Sequence, residues 1–118
     1  MLTLTELYDE MLRLSRQLNA AIDHMTTAAH DHAEADNQYR MARAKAWLNA
    51  DGTVGARNAT ADLATGKERY EARLADGMRQ AGLEAVRSRR QQISALQSLS
   101  GAFRAEAEYG RTSPNLGP

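Results

Sequence analysis

A chain of 118 residues holds one small domain, and its formal charge of zero, from 15 basic and 15 acidic side chains, excludes a uniformly basic nucleic-acid binder. The absence of cysteine excludes disulfides and thiolate metal sites and fits an intracellular, cytoplasmic location. No window approaches the roughly 20 apolar residues of a membrane span, and the N-terminus lacks the basic and apolar stretches of a signal peptide, so no membrane partner is expected. Charge is unevenly spread. Residues 1–39 hold Arg13 and Arg16 against seven acids, residues 40–48 add Arg40, Arg43 and Lys45, and residues 67–104 carry eight bases against four acids.

Neither Pro nor Gly occurs before Gly52. The chain opens on Thr3-Leu4-Thr5-Glu6, a capping-box pattern in which each end of the motif satisfies the other's amide. From there Leu4, Leu7, Met11, Leu14, Leu18, Ala21, Met25, Ala28, His32, Ala35, Tyr39, Ala42 and Ala46 repeat at 3-4 spacing. That spacing predicts a helix over about residues 4–48 with a coiled-coil-like seam, leucine-rich early and alanine-rich late. Asn49 to Gly52 stops it, because Gly provides the left-handed cap and Asn and Asp favour turns. Thr53 then caps a short helix over about 54–64, with a break at Thr65-Gly66.

A third helix is predicted over about 67–108, its core side drawn through Tyr70, Leu74, Met78, Ala81, Ala85, Gln92, Leu96, Leu99 and Phe103. Leu83, Val86 and Ile93 form a second apolar stripe beside it, and a helix with two apolar faces needs two partners. Gly77, Gly82 and Gly101 lie inside this helix and read either as tolerated weak points or as sites of close backbone approach. The expected fold is an all-α, long antiparallel helical hairpin, coiled-coil-like and oligomeric, forming a single domain over 1–110 with a disordered tail over 111–118. Two such helices alone leave broad apolar stripes in water, so a homo-oligomer is expected, with Leu7, Met11, Leu14, Leu18, Leu83, Val86, Ile93, Leu96, Leu99 and Phe103 at its interface.

Catalysis has little to stand on, and no enzyme activity, cofactor or metal is expected. His24, His30 and His32 share one helix, but His30 and His32 diverge by about 200° and do not make a zinc pair. Gly52-Thr53-Val54-Gly55 lacks the Lys and the spacing of a phosphate loop. The arginines are more informative. On a wheel at about 100° per residue, Arg79, Arg87, Arg90 and Arg104 fall in one wedge opposite Leu74, Ala85 and Phe103, with Arg89 to one side. No acid occurs between Arg87 and Arg104. This reads as a phosphate-binding stripe, or as an ordinary solvated helix face or one that pairs with the acidic first arm of a neighbouring subunit. A second cluster around Tyr39, Arg40, Arg43, Lys45 and Trp47 mixes cations with aromatics, the pairing that holds single-stranded nucleic acid; its other reading is cations complementing a helix C-terminus with Trp47 packed beneath the turn.

Arg43-Ala44-Lys45 followed by Trp47 and a Gly turn, Ala85-Val86-Arg87-Ser88-Arg89 continuing to Ile93 and Leu96-Gln97, and the order long helix, turn, short helix, longer helix resemble the UvsY-type recombination mediators of tailed phages over roughly residues 35–105. The resemblance implies a homo-oligomer that binds single-stranded DNA and helps load a recombinase past single-strand-binding protein, in the host cell cytoplasm if the chain is phage-encoded. It implies Arg43 and Lys45 as the first DNA contacts. The turn is shorter here, aromatics are fewer and the first arm is more acidic than in that family. A competing expectation is a coiled-coil adaptor whose first helix docks a protein partner. A secreted hairpin of the Trp-Xaa-Gly turn class ranks below it, because Trp47 and Gly52 are five apart and Tyr109 lacks an acid four residues on.

Overall fold

The computed structural model describes residues 2–112. These form three helices, α1 (Leu4–Asn49), α2 (Val54–Ala64) and α3 (Gly66–Thr112), and no strand among the described residues. The class is the expected all-α antiparallel hairpin. α3 runs to Thr112, about four residues past the predicted end, and the rest of the expected tail, 113–118, lies outside the described residues. The chain divides into two compact units, one combining Met1–Ala21 with Ala85–Pro118 and the other Ile22–Glu84.

The starts and stops follow local chemistry. The Thr3 amide donates to Glu6 Oε2 at 3.0 Å and the Glu6 amide to Thr3 Oγ1 at 3.1 Å, which completes the capping box. After α1, Gly52 takes φ +103°, a conformation that costs an L-residue with a side chain roughly 1–2 kcal/mol. Thr53 caps α2 by accepting from the Ala56 amide at 3.2 Å. Between α2 and α3 the chain breaks helix only at Thr65. That residue is 2 % exposed, and its hydroxyl donates to the Ala61 carbonyl at 2.7 Å.

The α1 seam packs as its spacing predicts. Leu7 and Leu14 are buried, and Met11, Leu18, Ala21, Met25, Ala28, His32, Ala35, Tyr39, Ala42 and Ala46 are half-buried. Only Leu4, at the frayed start, stays exposed.

The α3 core face is elsewhere than expected. Tyr70, Leu74, Met78 and Leu99 are exposed at 66, 53, 61 and 41 %, and Ala81, Ala85 and Gln92 also face solvent; of the expected set only Leu96 and Phe103 turn inward. The packed face instead follows Ala72, Ala75, Arg79, Gly82, Val86, Arg89, Ile93, Leu96, Ser100 and Phe103, again at 3-4 spacing. Small residues win these places because they let the helices approach. A Cβ built on Gly82 would stand 3.2 Å from Met25 Cα, so close approach is the correct reading of that glycine. At Gly77 and Gly101 nothing lies within 4 Å, and these are the tolerated weak points.

Candidate nucleic-acid interface

The second unit contains the cluster around the turn. Arg43 Nε donates to Asp62 Oδ1 at 3.0 Å, joining α1 to α2. Trp47 Nε1 donates to Asn58 Oδ1 at 3.1 Å, and the Arg57 guanidinium lies 5.0 Å from its ring centroid, a cation–π contact. These two side chains clamp α2 onto α1. Arg43 therefore spends its charge on a carboxylate, and one face of the Trp47 ring is covered from within the chain. Arg40 is paired with Asp36 one turn earlier at 3.0 Å. Of the four predicted contact residues here, Lys45 alone is exposed with no ionic partner among the described residues.

The arginines of α3 do not form the single outward stripe that the wheel placed opposite the core. Arg79 is half-buried on the packed face and bonds Asp76 at 2.8 and 3.1 Å. Arg89 is half-buried too, its guanidinium donating to Gln92 Oε1 at 3.1 Å. Arg87 and Arg90 are exposed, and Arg104 is exposed with a 3.3 Å bond to Ser100 Oγ. The cause is helical period. A seam repeating every 3.5 residues drifts by about 20° per heptad against a 3.6-residue wheel, so positions some 25 apart slip by about 70°.

Around Arg89 the first unit has a cleft of about 420 Å³ whose floor is Leu14 and Leu96 and whose rim carries Arg13, Arg89, Gln17 and Gln92. Arg13 is held in two hydrogen bonds by Glu10, whose carboxyl that bonding keeps below its ordinary range. Glu10 being engaged there, Arg89 rests on a neutral amide and keeps its charge uncompensated. Gln17 Oε1 is buried and receives no hydrogen bond among the described residues, an unsatisfied acceptor in the wall of this cleft.

A smaller cleft of about 230 Å³ lies in the second unit, lined from α1 by His32, Asp36 and Tyr39 and from α3 by Arg69, Arg73 and Asp76. Sequence inspection missed Arg69 and Arg73 as site residues. The available signal was the α1 heptad itself: an equal period on α3 puts Arg69, Ala72, Asp76 and Arg79 together along the packed face.

The apolar residues assigned to an oligomer interface have other work. Leu7, Leu14 and Val86 are buried within the chain, and Met11, Leu18, Ile93, Leu96 and Phe103 are half-buried in it. Only Leu83 and Leu99 stay exposed, at 39 and 41 %. On α3 an apolar face expected to be core is left in solvent, Tyr70, Leu74 and Met78, one turn apart, and on α1 Leu4, Tyr8 and Leu12 are exposed at the same spacing.

Of the histidines, His24 and His30 are exposed and His32 is half-buried, with Nε2 3.7 Å from Asp76 Oδ1. Among the described residues no group of three His, Cys, Asp or Glu side chains is placed to hold a metal ion, and no helix is long and apolar enough to cross a membrane. Comparison with family models, with curated proteins and with solved structures returns no match for this chain.

Proposed function

We propose that this chain binds single-stranded nucleic acid as a self-assembled helical protein and does no covalent chemistry on it. The observation that carries the reading is the stretch of α3 from 85 to 104. It holds Arg87, Arg89, Arg90 and Arg104 and no acid, with Arg90 exposed and without a partner among the described residues and Arg89 resting on a neutral amide. Guanidiniums in that condition are available to phosphate oxygens, which they contact in bidentate fashion. The adjoining cleft adds an apolar floor of Leu14 and Leu96, a feature that suits an unstacked base better than a duplex. The resemblance to UvsY-type mediators supplies the further role of loading a recombinase onto the strand in the presence of single-strand-binding protein.

The test is fluorescence anisotropy of a labelled oligothymidylate at two salt concentrations. Binding that weakens steeply with salt is expected, because neutralised phosphates release counterions. No binding at low salt, or binding unchanged in the R87E/R90E double variant, ends this reading.

A second reading, a protein-interaction module, is favoured by the exposed Tyr70, Leu74 and Met78 face, since adjacent exposed apolar side chains on one helix face mark a contact surface. In the first reading the same face serves self-assembly. Mass in solution separates them. A defined homo-oligomer that L74D/M78D reduces to monomer supports assembly, whereas a wild-type monomer that retains one protein in a pull-down supports the adaptor.

A further inference from the structure

We infer that the cleft between Tyr39 of α1 and Arg69 and Arg73 of α3 is a nucleotide-phosphate site, separate from the arginine run of residues 85–104. Arg69 and Arg73 are one helical turn apart, on one side of α3, and line the same cleft. Among the described residues neither is paired with a carboxylate, although Asp36 and Asp76 stand in the same wall. Those acids are engaged by other side chains. Asp36 is bonded by Arg40 at 3.0 Å. Asp76 takes two hydrogen bonds from Arg79 and one from Gln80 at 2.9 Å, and the Arg79 bonding holds its carboxyl below the usual aspartate range. Arg40 and Arg79 are not among the residues lining the cleft, so each wall acid is engaged by a side chain other than Arg69 and Arg73. His32, 3.7 Å from Asp76, lines the same cleft.

The third component is Tyr39, a half-buried aromatic whose phenol ring borders the same space. Two unpaired guanidiniums beside one aromatic ring match a phosphate ester carrying a base: the arginines take the phosphate oxygens, and the ring takes the face of the base. A cleft of about 230 Å³ has no room for a protein segment with secondary structure. The chemistry is common to a free nucleotide and to a phosphodiester within a strand.

Calorimetric titration of the full chain with thymidine 5′-monophosphate, and separately with a pentathymidylate, distinguishes the two sources. Saturable binding of the monophosphate assigns a free nucleotide. Binding of the pentamer alone assigns a strand. In either case R69Q/R73Q, which removes both charges while keeping long polar side chains, is expected to weaken binding at least tenfold. It is also expected to lower the salt slope of strand binding by about 1.4, the share of two phosphates. Y39F is expected to keep affinity and Y39L to lose about tenfold, since the stacking face and not the hydroxyl is used. The proposal is overturned if neither ligand binds, or if R69Q/R73Q with an unchanged helical spectrum binds as wild type. In that last case, loss of strand binding in R87E/R90E leaves the function proposed above standing without this site.

Discussion

Replacing glycines within α3 separates the packing argument from helix propensity. Gly→Ala inside a helix stabilises by about 1 kcal/mol where the methyl meets open space. Gly77 and Gly101 meet that condition, with nothing within 4 Å of the new Cβ. Gly82 does not, because its Cβ would stand 3.2 Å from Met25 Cα and 3.5 Å from Met25 Cβ. Backbone cannot swing aside as a side-chain tip can, so α1 and α3 must part locally. Overfilling of this kind costs about 1–3 kcal/mol, which cancels or reverses the propensity gain. In a domain of this size 1 kcal/mol moves Tm by about 4 °C. G77A and G101A are therefore expected to melt about 4 °C higher than wild type, and G82A at the same temperature or up to about 8 °C lower. Thermal melts by far-ultraviolet circular dichroism at two protein concentrations read this directly, the second concentration detecting any contribution from assembly. If G82A gains as much as G77A, the helices do not meet closely at Met25 and the small-residue face of α3 is misassigned.

Other expectations test other parts of the molecule. Leu14 is 4 % exposed, so L14A removes a buried isobutyl group and is expected to cost about 2–3 kcal/mol, the low end for Leu→Ala because a thin hairpin can relax; urea denaturation measures it. W47F gives up the Asn58 bond and weakens the Arg57 contact, for about 1 kcal/mol of stability, yet leaves oligonucleotide affinity unchanged. In wild type, emission of the single tryptophan is expected not to change on adding oligonucleotide, and strong quenching would return Trp47 to the interface. Asp76 and Glu10 are held low in the folded chain, chiefly by hydrogen bonds from Arg79 and Arg13, so each contributes stability above its ordinary value of 3.8 or 4.5 and loses it as pH falls through the lower folded value. Melting temperature is expected to stay level near neutrality and to decline below about pH 4, and D76N is expected to flatten part of that decline; an identical acid limb in D76N would remove Asp76 from the account.

The helices and their ends could be read from the sequence because those signals are local. Thr3 with Glu6, Gly52, Thr53 and Thr65 each act through atoms a few residues away and hold in the structure, the break expected at Thr65-Gly66 falling at Thr65 alone. The α1 seam was legible for a related reason: its large apolar residues coincide with its packed face. On α3 they do not coincide. Tyr70, Leu74 and Met78 attract the eye while Ala72, Gly82 and Ser100 do the packing, and which residues a neighbouring helix admits is a property of both helices. The candidate site suffered from the same non-locality. Arg43 and Arg79 look available in one dimension, and only the fold supplies Asp62 and the turn geometry that engages Asp76. The basic character of residues 85–104 was legible because no acid occurs within that stretch of sequence.

The largest side chains fully shielded from water are Leu7 and Ser100. A chain with so little deep interior holds together as a zipper does, each rung of α1 on α3 secured by the rungs beside it and none by a common centre. Cooperativity in such a lattice is set by nearest neighbours, and opening starts where a rung has fewest. The first unit joins two helical segments only; the second adds α2 as a latch through Asp62 and Asn58. Opening is therefore expected to start in the two-helix unit, the one that bears the arginines of residues 85–104, and amide exchange no faster there than in the α2-latched unit would refute it.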